Sequence, residues 1–581
     1  MKKIMFFMSF LLALSVSAAP VSEKRARQIA SDFFSGVSVK SSGSGVELVW
    51  SGNDLNESAV TKSVSGEPLM YIYNNAGGEG FVIVSGDDNT RPVIAFSYDG
   101  SFDVEDMPGG ARYILSGWMK QIERNSDGPR MASSLYSEGS VVVSHSTASW
   151  GQSAPFNLET PMIGGSHAVT GCVATAMSII AYHHKWPQQG IGTVPAYSFA
   201  GGTVSANTLG RTYDYQNMLS NYDGGYSEIQ GQAVAALMYD MGTAVKMQYG
   251  VSESGAFDID VPAAMSTYFR YAKDMRLVYR ETYSDSEWTG LLKTALNAGP
   301  LYFSGTDAYG GGHAFVLDGY TDQDYFHINY GWNGQANAYY YLPEQEYCKN
   351  QSAIIGMLPD KSGTTSYSDN LLFTAASVNE IPYEGMKSDA VSYSPGTTFN
   401  WSAGAVYNSG IVDFNGSLAL VLCNAEGNME KTLKEVSVAS LPVRYITVIP
   451  ETQVTIPDDA SINPGDRLRL YYKGADPNDE WSWVRRSDSE CCDELLVSAT
   501  STDIAKSLQI GFSKTTRKLT FKSGCPLSSY VVKDSSENVK IDSSSPVPAF
   551  TPTEIDMSGF ASGEYDISFT YGETYTLTIV L

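Results

Sequence analysis

The sequence has little positive charge and no long apolar run beyond its N-terminus. Lys and Arg account for 38 of the 581 residues, against 63 Asp and Glu. Nucleic-acid binding depends on basic patches, so this acidic balance argues against a nucleic-acid partner. No later stretch is apolar over about 18 residues, and we therefore expect no transmembrane segment.

Paired cysteines are also missing. The six cysteines show no CxxC spacing, which argues against a zinc site, and they are too scattered for a disulfide scaffold. We therefore expect neither a metal nor a cofactor. Cys172 lies far from any other cysteine. A small buried hydrophobe and a reactive thiol are both open interpretations of it.

The residues that are abundant describe a globular protein with several domains. Hydrophobic residues make up 43% of the chain and aromatic residues 12%, which suits sizeable cores. At ~100–200 residues per domain, the length predicts roughly three to five domains.

The N-terminus has the pattern of a secretory signal peptide. Lys2 and Lys3 precede an apolar run over residues 4–16, and small residues follow at 17–19. Such a run is too short to span a membrane. We predict a signal peptide over residues 1–18 and a soluble mature protein that is secreted or held at the cell surface.

Residues 19–140 are predicted to form an α/β unit. Apolar spacing indicates helices over 23–34 and 109–124. Apolar runs at 70–73 and 81–84 indicate a β-hairpin. The polar, Ser-rich stretch that follows is typical of a linker and of a cleavage site.

Residues 141–360 are predicted to form a mixed α/β domain. A run of small apolar residues predicts a buried helix over 173–182 that stops before Pro187. The remaining pattern predicts helices at 226–241 and 285–298 and then strands at 301–303, 313–320, 325–330 and 338–342.

Residues 361–581 follow a different pattern. Short alternating segments are separated by Gly, Pro, Asn and Asp, and no helix is predicted. We interpret this part as all-β, with a β-sandwich domain over 361–500 and a further β domain over 501–581.

Cys172 is a candidate nucleophile because of its position. It follows Gly171 at the start of the predicted helix, where free N–H groups and a partial positive charge lower the pKa of a thiol. A structural cysteine would more naturally lie in the middle of the helix.

A thiolate nucleophile needs an imidazole partner. His183 and His184 lie on the same helix at ~16 Å, which is too far to pair. His327 lies inside a predicted strand and is interpreted as structural. His313 begins a strand and is the preferred distant partner, while His167 is a local alternative.

Two further features suit a cleft that binds a peptide. The backbone N–H of Cys172 can stabilise an oxyanion, and the side chain of Gln152 is a candidate second donor. A surface-loop glutamine is the alternative interpretation of Gln152. Gly311 and Gly312 directly precede His313 and let the backbone pass close to a substrate chain.

The pairing of residues across the turn after the His313 strand determines which residue lies opposite His313. If Tyr320 pairs with Tyr325 across this turn, His313 falls opposite Trp332. The imidazole ring can then pack on the indole.

Two residues are candidates to orient the His313 ring. Asn329 would fall opposite Val316, on the other face of the sheet, so it needs a bulge or a shifted register to reach the ring. Asp318 is the alternative, but alternation along the strand also places its side chain on the face opposite to His313.

Four ordered motifs resemble the streptopain family, a bacterial group of papain-like cysteine peptidases. They are GQSAPFN at 151–157, TGCVATA at 170–176, GGHAFVLDG at 311–319 and HINYGW at 327–332. A segment of the family's propeptide is also similar to residues 80–88. The resemblance covers about residues 20–360.

The resemblance implies roles for five residues. Cys172 matches the family nucleophile, His313 the general base and Gln152 the oxyanion-hole glutamine. Asn329 matches the asparagine near the catalytic histidine, and Trp332 matches a tryptophan beside the active site.

The resemblance also implies an α+β fold, with a papain-like catalytic domain over 141–360 behind an α/β prodomain over 19–140. Protein or peptide substrates are expected. The prodomain is expected to block the cleft as an intramolecular inhibitor until a cut within 125–145 releases it. Tyr330 stands where streptopain has another tryptophan, which concerns the packing around His313.

The C-terminal end is loosely similar to β-domains that serve sorting in the secretion systems of gliding bacteria. The C-terminal β domains are therefore expected to bind secretion machinery, the cell surface or glycans. The alternative function is an adhesin or carbohydrate-binding protein with a degenerate peptidase domain. The presence of Cys172, His313 and Gln152 argues against it. A third possibility is acyl transfer to amines.

Overall fold

The computed structural model describes residues 20–36, 45–53, 68–77, 79–88, 90–104, 109–125, 139–307, 309–378, 380–390, 392–488, 490–513, 515–548 and 551–581. The predicted signal peptide and most of the predicted cleavage region lie outside the described residues. The chain divides into two compact units: the first holds residues up to Leu277 together with Ser284–Ser366, and the second holds Val278–Tyr283 and Tyr367–Leu581. The protein is mainly β, with few helices.

The first unit begins with a helix packed on antiparallel strands. The elements of this part are α1 (Glu23–Gly36), β1 (Val46–Gly52), β2 (Met70–Asn75), β3 (Phe81–Ser85), β4 (Val93–Ser97) and α2 (Gly109–Asn125). The predicted helices and hairpin strands are all present here. Helix α1 buries Ala26, Ala30 and Phe33 in the core, as expected of an amphipathic helix.

The rest of the first unit carries the candidate site. Its elements are β5 (Val141–Ser144), β6 (Met162–Ile163), β7 (Ser166–His167), α3 (Cys172–His184), β8 (Thr193–Val194), β9 (Tyr197–Phe199), β10 (Gly202–Val204), β11 (Asn207–Thr208), α4 (Glu228–Ala244), α5 (Asp260–Phe269), β12 (Arg276–Tyr279), α6 (Asp285–Leu296), β13 (Leu301–Thr306), β14 (Gly312–Thr321), β15 (Tyr325–Asn329), β16 (Ala338–Tyr341) and β17 (Lys349–Ile355). The three predicted helices appear as α3, α4 and α6. Helix α5 is not predicted; Pro262 lies in its first turn, where proline is tolerated.

One antiparallel sheet runs through both parts of the first unit. Its strand order includes β1–β2–β3–β4–β16–β15–β14–β13–β17, and β5 pairs with β14. Strand β4 joins β16 where Phe96 pairs with Tyr339 and Ala95 with Tyr340. Tyr339 and Tyr325 belong to the same buried core as α1. The N-terminal part therefore folds onto the sheet that carries the candidate site.

The hairpin of β14 and β15 contains a bulge. Tyr320 pairs with Phe326, so the predicted pairing of Tyr320 with Tyr325 is wrong by one residue. Val316 nevertheless pairs with Asn329 as predicted, because the register shifts between these two positions. A bulge adds one unpaired residue to one strand and absorbs such a shift.

The second unit consists almost entirely of strands. Its elements are β18 (Leu371–Phe373), β19 (Ala376–Val378), β20 (Ile381–Tyr383), β21 (Gly385–Ser388), β22 (Thr398–Asn408), β23 (Phe414–Cys423), β24 (Met429–Leu441), β25 (Ile446–Thr455), β26 (Arg467–Gly474), β27 (Ser482–Trp483), β28 (Arg485–Arg486), β29 (Glu494–Leu496), α7 (Ser501–Ser507), β30 (Leu508–Ser513), β31 (Lys518–Ser523), β32 (Ser529–Asp534), β33 (Val539–Ser543), β34 (Thr553–Asp556), β35 (Glu564–Tyr571) and β36 (Glu573–Val580). The expectation of no helix is wrong at α7, which is short and begins with a capping box between Thr500 and Asp503.

Two larger sheets in this unit have the orders β21–β22–β18–β28, with β25 on β22, and β24–β23–β26–β27, with β29 on β26. Two smaller sheets follow, with orders β30–β31–β34 and β33–β32–β35–β36. Apolar side chains from all four sheets form one buried core cluster. Among the described helices of the chain, none is long and apolar enough to cross a membrane.

Candidate active site

Cys172 is the first residue of α3, directly after Gly171. Gly171 has φ 85°, and a Cβ there would lie 2.7 Å from the sulfur of Met247. Glycine is therefore required at this position for both conformation and space. The helix itself is buried over Val173 to Ala181, which holds its N-terminus in a fixed place.

The thiol of Cys172 is not activated in this structure. Burial raises the pKa of the Cys172 thiol above its ordinary value, a backbone N–H from Ala314 opposes this, and the negative charge of Asp258 adds to the increase. The expectation of a lowered pKa is therefore wrong for this state of the protein. Desolvation of the thiolate outweighs the favourable end of the helix.

His313 lies near the start of β14 and is 8% exposed. Its Nε2–H donates to the backbone carbonyl of Tyr330 at 2.9 Å. Burial lowers the pKa of His313 to about 4, and the Tyr330 carbonyl opposes this shift. The ring is accordingly neutral at physiological pH, with Nδ1 free of a proton.

Aromatic rings pack around the imidazole of His313. The Trp332 indole stacks on it, with ring centroids 4.8 Å apart and an interplanar angle of 26°. Tyr330 in turn stacks on Trp332 at 4.9 Å, and Tyr347 lies 5.2 Å from His313. The predicted packing of the imidazole on the indole is present. The contact of Tyr330 with Nε2 is made by its backbone, so it does not depend on the ring at this position.

Cys172 and His313 line the same cleft, of about 890 Å³, together with Gln152, Gly312 and Trp332. Ala314, the neighbour of His313, donates its N–H toward the Cys172 sulfur. The two candidate residues are therefore adjacent. Among the described hydrogen bonds, however, none joins the thiol to the imidazole; the ring nitrogen bonded to Tyr330 is Nε2, which leaves Nδ1 available.

Gln152 reaches the cleft from a segment anchored at the start of α3. Its backbone carbonyl accepts the N–H of Thr170 at 3.0 Å. The nearby Trp150 is fully buried, and its indole donates to the Leu219 carbonyl at 2.8 Å. Gln152 thus lines the same cleft as Cys172, and its role as an oxyanion donor stays a prediction.

Gly312 lines the cleft, but Gly311 does not. The N–H of Gly311 donates to Asp307 at 2.8 Å, so Gly311 shapes the loop that leads into β14. A role of Gly311 beside a bound substrate stays a prediction. His167 also lies outside the cleft, where its Nδ1 donates to the Thr160 carbonyl at 2.9 Å.

Asn329 does not contact His313. Its amide donates to the Thr147 hydroxyl and to the Ala148 carbonyl, both at 2.9 Å, and its oxygen accepts the N–H of Gly331 at 3.1 Å. Asn329 is thus a buried residue whose hydrogen bonds connect the end of β15 to the segment before Trp150. It lies one residue before Tyr330, whose backbone carbonyl accepts from His313.

Asp318 lies at the bulge and binds His327, not His313. The Asp318 carboxylate accepts from Nδ1 of His327 and from the Thr147 hydroxyl, each at 2.5 Å. Burial lowers the pKa of His327, but the charges of Asp318 and Asp99 outweigh it and the net pKa is raised. The interpretation of His327 as structural agrees with this ion pair, and Asp318 as an orienter of His313 is wrong.

Helix α2 of the N-terminal part contacts two loops that flank the cleft residues. The Tyr113 hydroxyl donates to the Asp307 carboxylate, and Lys120 donates to the Tyr309 hydroxyl at 2.8 Å. Gly117 lies against Glu346, since a Cβ there would be 1.5 Å from a carboxylate oxygen. Burial, then the negative charge of Asp307, raises the pKa of Glu346 to about 7, while Lys120 opposes the shift.

One wall of the cleft was not predicted from the sequence; it is formed by the loop at 248–258 and by Ser304 on β13. The loop has no periodicity and belongs to none of the four motifs. Asp258 in this loop accepts from the hydroxyls of Tyr302 and Ser304 at 2.5 and 2.6 Å. An acidic residue in a polar loop gave no signal that it would lie near Cys172.

Two parts of the chain match known families. Residues 150–340 match the Peptidase C10 family, and residues 18–122 match the Spi protease inhibitor family. Streptopain of Streptococcus pyogenes is 32% identical over 296 residues, which cover 47% of this chain and 73% of streptopain.

Two further proteins are similar over part of their length. The thiol protease/hemagglutinin PrtT of Porphyromonas gingivalis is 31% identical over 392 residues, which cover 62% of this chain but only 44% of PrtT. The structure of a prointerpain A fragment from Prevotella intermedia is 28% identical and has a TM-score of 0.43, covering 54% of this chain and 100% of that fragment.

Proposed function

Because the chain belongs to the peptidase C10 family of cysteine peptidases, we propose that residues 141–360 are its papain-like catalytic domain, with Cys172 as nucleophile and His313 as general base. The observation that carries this proposal is the shared cleft: a cysteine at the leading end of a buried helix lies beside the residue that follows His313. No metal or cofactor has a part in the proposed reaction.

Hydrolysis then proceeds in two steps. His313 takes the thiol proton, and the Cys172 sulfur attacks the scissile carbonyl carbon. The backbone N–H of Cys172 and the Gln152 amide stabilise the oxyanion. The imidazolium gives its proton to the leaving amine, and a thioester remains. Water, deprotonated by His313, attacks the thioester and returns the free thiol and a carboxylic acid.

The Tyr330 carbonyl suits this cycle because it fixes the tautomer of His313. With Nε2 donating to the carbonyl, Nδ1 is the nitrogen that can accept the thiol proton. The carbonyl also stabilises the imidazolium formed in the first step. Asn329 supports this carbonyl indirectly, so its proposed role is that of a positioning residue.

The N-terminal part is proposed to be the inhibitory prosegment, over 19–140. Helix α2 holds the loop that contains Asp307 and Tyr309 and covers Glu346, which supports an intramolecular inhibitor. In this state the thiol pKa is raised and the imidazole is not bonded to the thiol, as suits an inactive precursor. A cut within 125–145 is proposed to release the prosegment.

The remaining assignments concern location and the second unit. We propose that residues 1–18 direct secretion and that the protein acts outside the cell. The β domains proposed over 361–500 and 501–581 are suited to binding secretion machinery, the cell surface or glycans.

The proposal is tested with Cys172→Ala and His313→Ala in the full chain. Both variants are expected to remain unprocessed and to lose casein cleavage, and a thiol-directed epoxide is expected to label wild-type protein at Cys172. A Cys172→Ala protein that cleaves casein at the normal rate would contradict the assignment. Mass analysis of the products in the presence of added amines separates hydrolysis from acyl transfer.

A further inference from the structure

The cleft around Cys172 has an unbalanced charge. Its described lining residues include two acidic side chains, Asp258 and Glu253, and neither lysine nor arginine. Glu253 is exposed, whereas Asp258 is half-buried.

Buried hydroxyl groups hold the Asp258 carboxylate in place. Tyr302, which is fully buried, donates to one carboxylate oxygen at 2.5 Å. Ser304 donates to the other oxygen at 2.6 Å, and Ser352 lies 3.4 Å from that oxygen. Ser304 and Ser352 are themselves 2.8 Å apart and buried. The carboxylate is therefore positioned by a rigid set of donors on β13 and β17.

These donors leave the negative charge of Asp258 without a cationic partner in the described part of the chain. An ionised carboxylate accepts up to about four hydrogen bonds, so it retains capacity toward the open cleft. Asp258 also raises the pKa of the Cys172 thiol, which works against the nucleophile. Its place in the cleft therefore calls for another role.

On the premise that this cleft binds peptides as proposed above, we propose that Asp258 selects substrates with a lysine or arginine side chain close to the scissile bond. The cationic head would pair with the oxygens that Tyr302 and Ser304 position, and it would neutralise the charge beside the sulfur. Charge-assisted hydrogen bonds of this kind are strong and specific. An apolar side chain in the same place would leave the carboxylate unpaired, which adds discrimination.

The test uses the self-processed full chain and a set of internally quenched peptides. Each position near the scissile bond carries lysine, norleucine, leucine or glutamate in turn, because norleucine keeps the length of lysine without its charge. At one position, lysine is expected to exceed norleucine in kcat/KM by roughly 10–100-fold. Asp258→Asn is expected to abolish this difference while the norleucine peptide is still cleaved.

Glu253→Gln is the matched control, since it removes the same charge from an exposed side chain of the same cleft. It is expected to keep the preference for lysine. Equal cleavage of lysine and norleucine peptides at every position by the wild-type protein would overturn the inference and leave the peptidase function intact. Persistence of the preference in Asp258→Asn would do the same.

The wild-type comparison of lysine with norleucine needs no variant, so a lack of preference overturns the inference even if Asp258→Asn does not fold, and Glu253→Gln still tests the other acidic residue. Absence of cleavage of every peptide, together with no epoxide labelling of Cys172, would overturn the proposed function and this inference with it. The two failures are therefore distinguishable.

Discussion

The Nε2–H of His313 donates to the backbone carbonyl of Tyr330 at 2.9 Å. This contact orients a buried imidazole with a backbone acceptor, while the nearby asparagine, Asn329, binds the surrounding backbone. A carbonyl carries no negative charge, so it stabilises an imidazolium less than a carboxylate would. Burial dominates the pKa of His313 and lowers it to about 4, which keeps the ring neutral as a base.

Replacement of Asn329 tests its role as a positioning residue. Asn329→Ala leaves the Gly331 N–H and the Ala148 carbonyl without their buried partner, at a cost of about 1–3 kcal/mol. We expect a lower melting temperature and a kcat reduced by roughly 10-fold with KM little changed. Thr147→Val removes one Asn329 contact and the hydroxyl bond to Asp318 but keeps the contacts of Asn329 with Ala148 and Gly331, so it is the control for a loss of stability alone. A kcat that stays at the wild-type value would make Asn329 merely structural.

Replacement of Trp332 tests the packing of the catalytic ring. Trp332 stacks on His313 at 4.8 Å, and aromatic pairs of this kind contribute about 0.5–1.5 kcal/mol beyond their buried area. Trp332→Ala is expected to lower kcat by roughly 10-fold, because the imidazole loses its position. Trp332→Phe is expected to retain most of the rate. Equal rates for the two variants would mean that stacking does not position the ring.

Tyr113 is expected to help hold the prosegment on the catalytic domain. Its hydroxyl donates to the Asp307 carboxylate, and the loss of this partly exposed bond should cost about 1 kcal/mol. In the Cys172→Ala full chain, Tyr113→Phe should therefore speed hydrogen exchange of α2 by roughly fivefold. Tyr226→Phe, on an exposed tyrosine of the catalytic part, is the matched control. Identical exchange in both variants would remove Tyr113 from the docking contacts.

Docking of α2 is expected to weaken as the pH rises toward 7. Burial beside Gly117, then the charge of Asp307, raises the pKa of Glu346 to about 7, with Lys120 opposing. Undocking exposes the carboxyl and returns its pKa to the ordinary range, so docking takes up a proton. This contribution is fully present below the ordinary glutamate pKa and is lost as the pH passes through about 7.

Hydrogen exchange of α2 in the Cys172→Ala full chain measures this dependence after correction for intrinsic exchange rates. Protection should fall between about pH 4.5 and 7 and then level off. Glu346→Gln cannot ionise and should flatten the profile. Tyr113 and Asp307 also face this site, but the pKa of Tyr113 is raised and that of Asp307 is lowered, so neither titrates in this window. An unchanged profile in Glu346→Gln would contradict the linkage.

Much of the local structure follows from the sequence alone. Helix α3 was predictable because its small apolar residues, the Gly171 before it and the Pro187 after it are all local signals. The strand-like segments at β14 and β15, joined by a short polar turn at 321–324, predicted a hairpin for the same reason. The motifs around Cys172 and His313 resemble those of a thiol peptidase family, and nucleophilic catalysis by a thiol needs a cysteine and an imidazole base.

The tertiary structure alone decided the details of the site. The bulge, through which Tyr320 pairs with Phe326, cannot be predicted from the two-residue period of a strand. Burial reversed the expected shift of the Cys172 pKa, because desolvation depends on which segments of the chain pack over the end of the helix. The approach of Asp258 to the cleft joins distant parts of the chain through hydroxyl contacts. Such contacts depend on long-range packing, and periodicity and spacing report only on neighbours along the chain.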